Sequence, residues 1–203
     1  MIILPRLYAI AGPDLFPDEA AFLNAAQELA TAGVTLLQYR NKSGNARQML
    51  AQARQVKSLL PSTTLIMNDR ADLCLAADFK GVHVGQDDLS PQGARNVIGP
   101  NLWLGVSTHN AAQVMEAEKS SADYIAIGPV FSTLSKANPD PVIGLDGVRQ
   151  ARALTRKPLV AIGGITRANC RSVIDAGADS VAVISDLVTH PGKSAEEFLR
   201  ILR

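Results

Sequence analysis

Short apolar runs alternate with longer Ala-rich stretches along the whole chain. The runs Leu7–Ala11, Thr35–Arg40, Thr64–Asn68, Gly81–Gly85, Trp103–Ser107, Tyr124–Gly128, Leu159–Gly163 and Ser180–Ser185 are almost continuously hydrophobic. That is the pattern of strands buried on both faces of a parallel sheet rather than half-exposed ones. Between them, segments such as Asp18–Ala32, Ala46–Leu60, Ala111–Ser120 and Arg167–Ala176 place apolar residues at i, i+3 and i+4, which predicts amphipathic helices. A weak internal repeat passes from helix end into strand at 32–37, 123–128 and 176–183, with Gly33 and Gly177 suited to left-handed helix caps. Eight strand–helix units in 203 residues predict an α/β fold, a single compact (β/α)8 TIM barrel spanning 1–203 as one domain. An open doubly wound sheet is the runner-up, disfavoured because no Gly-x-Gly-x-x-Gly turn follows the first strand.

Composition narrows the picture. Hydrophobic residues make up 47% of the chain but aromatics only 4%, so the core is built of Ala, Val, Ile and Leu. Twenty Lys and Arg against 19 acidic residues give no basic field for nucleic acid. No run approaches the roughly 20 apolar residues of a membrane span and no leader pattern is visible, so the expectation is a cytoplasmic protein without nucleic-acid or membrane partners. Cys74 and Cys170 are far apart in sequence, fall inside predicted helices and belong to no Cys/His cluster; they read as small core residues. Compact barrels often associate, so a small homo-oligomer is compatible with this reading, although no helix face stands out as an interface.

In such a barrel the chemistry gathers where strands end. After the second strand, Gln38, Arg40 and Lys42 fall on one side by the period of two, and a guanidinium with an ammonium suits a phosphate or diphosphate. Asn68 and Asp69 end the third strand, and Asp88 follows the fourth. Two carboxylates on neighbouring strand ends would suit Mg²⁺, which takes one or two carboxylates and completes its shell with water and substrate oxygens; the alternative for either is helix N-capping. The long connection after the sixth strand carries Thr133, Ser135 and Lys136 and reads as a lid over a phosphate. Gly163 and Gly164 after the seventh strand, with Ile184 and Ser185 at the eighth, fit a phosphate cradle. His83 reads as a hydrogen-bonded interior residue and His190 as a loop residue, whereas His109 at a strand end could serve acid–base chemistry. No Walker loop or nucleophile elbow is present.

In order and spacing, Leu7-Tyr8-Ala9-Ile10, Gln38-Tyr39-Arg40-Asn41-Lys42, Asn68-Asp69, the 81–89 segment, Gly105-Val106-Ser107-Thr108-His109, the 128–136 segment, Ile162-Gly163-Gly164-Ile165 and Val183-Ile184-Ser185 resemble the thiamine-phosphate synthase family over nearly the whole chain. The resemblance implies condensation of a hydroxymethylpyrimidine diphosphate with a thiazole phosphate, or its carboxylated form, to thiamine monophosphate and pyrophosphate, by a dissociative route with one Mg²⁺. It further implies pyrimidine-diphosphate contacts from Gln38, Arg40, Lys42, Asn68, Ser107 and Lys136, with Arg40, Lys42, Ser107 and Lys136 in catalysis. Thiazole-phosphate contacts would come from Thr133, Ser135, Gly164, Ile184 and Ser185, and metal ligation from Asp69 and Asp88. Ser132 and Ser135 stand where many family members have Pro and Thr. The related TenI-like thiazole tautomerases share the barrel and a strand-end histidine but lack this full set; a non-catalytic phosphate-binding barrel would leave the paired carboxylates unexplained.

Overall fold

A computed structural model describes residues 2–42, 45–133 and 140–203. The strands β1 (Leu7–Ala11), β2 (Leu36–Tyr39), β3 (Thr64–Asn68), β4 (Gly81–Val84), β5 (Trp103–Thr108), β6 (Tyr124–Ile127), β7 (Leu159–Ile162) and β8 (Ser180–Val183) pair in sequence order and close into a barrel. Every neighbouring pair is parallel, including β1 with β8. The helices α1 (Glu19–Thr31), α2 (Ala46–Leu59), α3 (Ala71–Ala76), α4 (Pro91–Ile98), α5 (Ala111–Lys119), α6 (Gly144–Leu154), α7 (Cys170–Asp175) and α8 (Pro191–Ile201) follow the strands in turn. The (β/α)8 expectation therefore holds. Among the described residues no helix is long and apolar enough to cross a membrane.

The period of two sorts each strand into two environments. Leu7, Ala9, Leu37, Tyr39, Leu65 and Met67 join the large cluster between sheet and helices, together with Phe22, Val56 and Phe198. Their neighbours Tyr8, Ile10, Leu36, Ile66, Tyr124, Ala126, Val160 and Ala182 fill the barrel itself. Cys74 and Cys170 are free and buried, as expected of small core residues. Helix starts follow capping chemistry: Asp18, Asn45, Ser90 and Asn110 accept from backbone N–H groups three residues on. Gly33 and Gly177, just past α1 and α7, take φ of 101° and 113°.

Most boundaries fall within one residue of the expected ones, and two differ by more, for visible reasons. The eighth strand stops at Val183 because Ile184 turns to ψ −80° and opens a 3-10 turn over Ser185–Leu187. The seventh helix begins at Cys170 rather than Arg167: the Asn169 side chain accepts from Thr166 N at 2.8 Å, tying the preceding residues into a turn.

Candidate active site

The end of β2 delivers three of the expected polar groups to different depths. Gln38 is buried inside the barrel, where its Nε2 donates to the Tyr8 hydroxyl at 2.9 Å. Arg40 lies at the mouth and pairs with Asp14, 3.2 Å away on the turn after β1. Lys42 reaches across to Asp69 at 3.7 Å, its side chain more than half exposed.

Asp69 is held in an unusual conformation. Its φ of 62° is left-handed, its N–H donates to His83 O at 2.8 Å, and Arg70 N closes a tight turn onto Asn68 O at 2.7 Å. Asp78 is the other described non-glycine residue with positive φ, but it follows the end of α3, where left-handed residues are common. No helix end explains Asp69, and strain of this kind persists where a side chain must be aimed. The capping alternative fails for both carboxylates. Arg70 precedes α3 and Ser90 caps α4, while Asp88 Oδ2 instead accepts from Gly85 N at 2.8 Å.

The electrostatics of this corner are unsatisfied. Burial first, and then the adjacent Asp88 carboxylate, together push the Asp69 carboxyl up to about 6 against the opposing pull of Lys42. Asn68 leans toward Asp69 and lowers its proton affinity, yet without hydrogen-bond geometry: its Nδ2 is buried and without a partner among the described residues. A like-charged carboxylate pair beside an orphaned amide donor suits a hard divalent cation and an anionic ligand. Asp69 and Asp88 would hold the cation, with the remaining ligands from water and substrate, since among the described residues no group of three or more His, Cys, Asp or Glu surrounds a metal position.

Ser107, on β5, accepts or donates with His83 Nε2 at 2.9 Å, and Gln86 Nε2 donates to its carbonyl at 2.5 Å. Across the mouth, Gly164 takes φ of 62° and its carbonyl accepts from Asn169 Nδ2 at 3.0 Å. A side chain there would collide with Phe131 and the Ser132 carbonyl, so the chain leading to half-buried Thr133 packs directly against the end of β7. Ile184 is half-buried against the barrel interior and Ser185 is exposed at the start of its 3-10 turn. Ser135 and Lys136 lie outside the described residues. His109 Nδ1 sits 2.6 Å from Gly128 O and 3.4 Å from Asp140, so that nitrogen carries a proton engaged at the backbone.

Sequence reasoning missed Asp14, Tyr8 and Tyr124. The two tyrosines are inward-facing by strand periodicity, a signal that was available, but their mutual contact at 3.0 Å joins residues 116 apart in sequence.

Residues 7–187 match the family described as thiamine monophosphate synthase. A protein from Koribacter versatilis named thiamine-phosphate synthase is 63% identical, over 98% of this chain and 96% of its own length. One of the same name from Shouchella clausii is 41% identical, over 90% of this chain and 88% of its own. Among solved structures, a thiamine phosphate pyrophosphorylase from Pyrococcus furiosus superposes with a TM-score of 0.85 at 34% identity, covering 97% of this chain and 95% of that one.

Proposed function

The chain belongs to the thiamine monophosphate synthase family, an enzyme of the transferase class with thiamine-phosphate synthase activity, and from that premise we propose how its barrel mouth carries the reaction. The observation that supports the reading most is the corner where Asp69, Asp88, Lys42 and the unpartnered Asn68 amide meet. There a pyrimidine diphosphate would place its diphosphate, with Arg40 and, outside the described residues, Lys136 completing the positive charge. Asp69 and Asp88 would hold Mg²⁺, which when bound would supply neutralisation of the charge on the leaving diphosphate.

The chain's own part is electrostatic and positional. The C–O bond to diphosphate breaks with its electron pair going to the leaving oxygen, and the pyrimidine-stabilised cation is captured by the thiazole nitrogen. Arg40 and Lys42 stabilise charge that develops only as the bond breaks, so they act on the barrier rather than on binding alone. Gln38 and Ser107 hold the pyrimidine diphosphate from below, Gln38 at the ring and Ser107 toward the diphosphate. Thr133, Ser135, Gly164, Ile184 and Ser185 hold the thiazole phosphate on the opposite side of the mouth, which puts the nucleophile within reach before water competes. No covalent protein nucleophile is required. Phosphorylated substrates do not cross membranes freely, which favours a cytoplasmic setting, and the whole activity belongs to one barrel domain.

The test is turnover. Purified protein with hydroxymethylpyrimidine diphosphate, thiazole phosphate and Mg²⁺ is expected to release thiamine monophosphate and pyrophosphate in equal amounts, with loss of both in EDTA and in Asp69→Ala. Isomerisation of carboxythiazole phosphate without condensation would instead identify a tautomerase, a reading that the family match and the relatives' names do not favour.

A further inference from the structure

Beneath the mouth, five side chains from five strands touch in series. Gln38 Nε2 meets Tyr8 OH at 2.9 Å, Tyr8 OH meets Tyr124 OH at 3.0 Å, Tyr124 OH meets His83 Nδ1 at 3.1 Å, and His83 Nε2 meets Ser107 Oγ at 2.9 Å. The three central residues are buried in the barrel, with both tyrosine rings fully enclosed. Space for the chain depends on Gly105: any side chain there would land on the Tyr124 ring and hydroxyl and on His83 Nδ1.

The direction of the protons follows from the inventory of donors. Gln38 Nε2 only donates, so Tyr8 accepts and must send its own proton to Tyr124. Tyr124 then sends its proton to His83 Nδ1. A neutral imidazole has one remaining N–H, on Nε2, and it goes to Ser107 Oγ. The Ser107 proton is thereby left for a ligand, and at the opposite end the Gln38 carbonyl is left as the group of that amide not engaged by Tyr8. Burial keeps both phenols protonated, their pKa values raised above the usual tyrosine range.

We propose that Tyr8, Tyr124 and His83 are positioning residues that form a one-way hydrogen-bond relay, fixing the Gln38 carbonyl as an acceptor for the amino group of an aminopyrimidine and the Ser107 hydroxyl as a donor to its diphosphate. The inference rests on the assignment of Gln38 and Ser107 to the pyrimidine diphosphate made above. Its consequence is discrimination: an oxopyrimidine presents an acceptor where the amino group presents a donor, and the locked carbonyl repels it. A free Gln38 amide would turn over and accommodate either.

The decisive variant is Tyr124→Phe, which removes a hydroxyl two hydrogen bonds away from Gln38. Tyr8 then has no acceptor but the Gln38 carbonyl, and the amide is driven to flip. Ratios of kcat/KM for the aminopyrimidine diphosphate over its 4-oxo counterpart are expected to fall about tenfold or more in Tyr124→Phe and in Tyr8→Phe, the scale of one hydrogen bond of selectivity. KM for thiazole phosphate should stay within twofold, which a general loosening of the barrel would not allow. As a readout independent of turnover, ¹⁵N spectra of histidine-labelled protein should show His83 protonated on Nε2. Unchanged ratios in both variants, with Gln38→Ala defective, would overturn the relay while sparing the site assignment. A fully active Gln38→Ala would overturn the assignment and the relay with it, and an Nδ1-protonated His83 would overturn the direction.

Discussion

The two rims of the barrel treat charge in opposite ways. At the strand-entry rim, Arg95 in the last turn of α4 donates to Gly99 O, Leu102 O and Ser121 O at 2.7–3.0 Å and pairs with Asp123 at 2.7 Å. Asp123 also accepts from Leu104 N. The same device recurs two units on: Arg152 near the end of α6 binds Thr155 O and Lys157 O and pairs with Asp179 at 2.8 Å, while Asp179 accepts from Leu159 N. Each guanidinium there neutralises a carboxylate and collects loop carbonyls. At the strand-exit rim, Asp69 faces Asp88, Asn68 keeps an unpartnered donor, and a left-handed aspartate aims the pair. The two Arg–Asp corners of the entry rim thus close their charges on themselves, whereas the Asp69–Asp88 corner leaves like charges and a donor unmatched, as the proposed binding of a charged substrate requires.

The sharpest way to break this division is to neutralise the open rim. Asp88→Asn and Asp69→Asn should each lower kcat/KM on the order of 10²–10³-fold, the scale of one lost transition-state contact, measured with saturating Mg²⁺. Neither should lower the melting temperature. A large loss of stability with little loss of activity would reverse the roles assigned to the two rims.

The next largest effect belongs to the closed rim. Arg95→Met leaves Asp123 half-paired and several carbonyls without their donor, so it should destabilise the fold by about 2–3 kcal/mol, a fall of roughly 5–10 °C in Tm for a chain of this size. Arg152→Met should have a smaller effect, because its Asp179 partner is more exposed than Asp123. In both, kcat at a temperature where the protein stays folded should be unchanged.

Sequence and structure agree unevenly across this comparison. The barrel was legible because strands buried on both faces leave unbroken apolar runs, and the helices between them announce their starts with Asp18, Asn45, Ser90 and Asn110. Candidate residues at strand ends were also legible by periodicity, and Gln38, Arg40 and Lys42 do follow one another into the mouth. What periodicity does not carry is pairing between distant strands. His83 was read as an interior residue, but the period of two gave no reason for it to meet Tyr8 and Tyr124, and it gave no sign that Arg40 would lean on Asp14. Nor does it carry backbone conformation: nothing in the spacing of Asn68-Asp69-Arg70 foretells a positive φ at an aspartate.

A finer test asks whether the open rim is maintained against stability. Asp69 titrates near 6 in the fold against 3.8 for an ordinary aspartate, so between those values the folded chain holds a proton that the unfolded chain has released. Protonation therefore favours folding at low pH, and that contribution is lost as pH rises through this window. Asp69→Asn imitates the protonated form permanently. Without Mg²⁺ at pH 7.5 it should raise Tm by roughly 2–4 °C, corresponding to about 1 kcal/mol after allowance for solvent and for the lost Lys42 pair. As pH falls from about 6 toward 3.8 the difference between wild type and variant should shrink, and it should close below 3.8, where Asp69 of the unfolded wild type is protonated as well. Adding Mg²⁺ at pH 7.5 should narrow the gap as well, by stabilising the wild type alone. A variant less stable than wild type at pH 7.5 would mean that the Lys42 contact outweighs the repulsion from Asp88, and the strand-exit rim would then be as well paired as its counterpart.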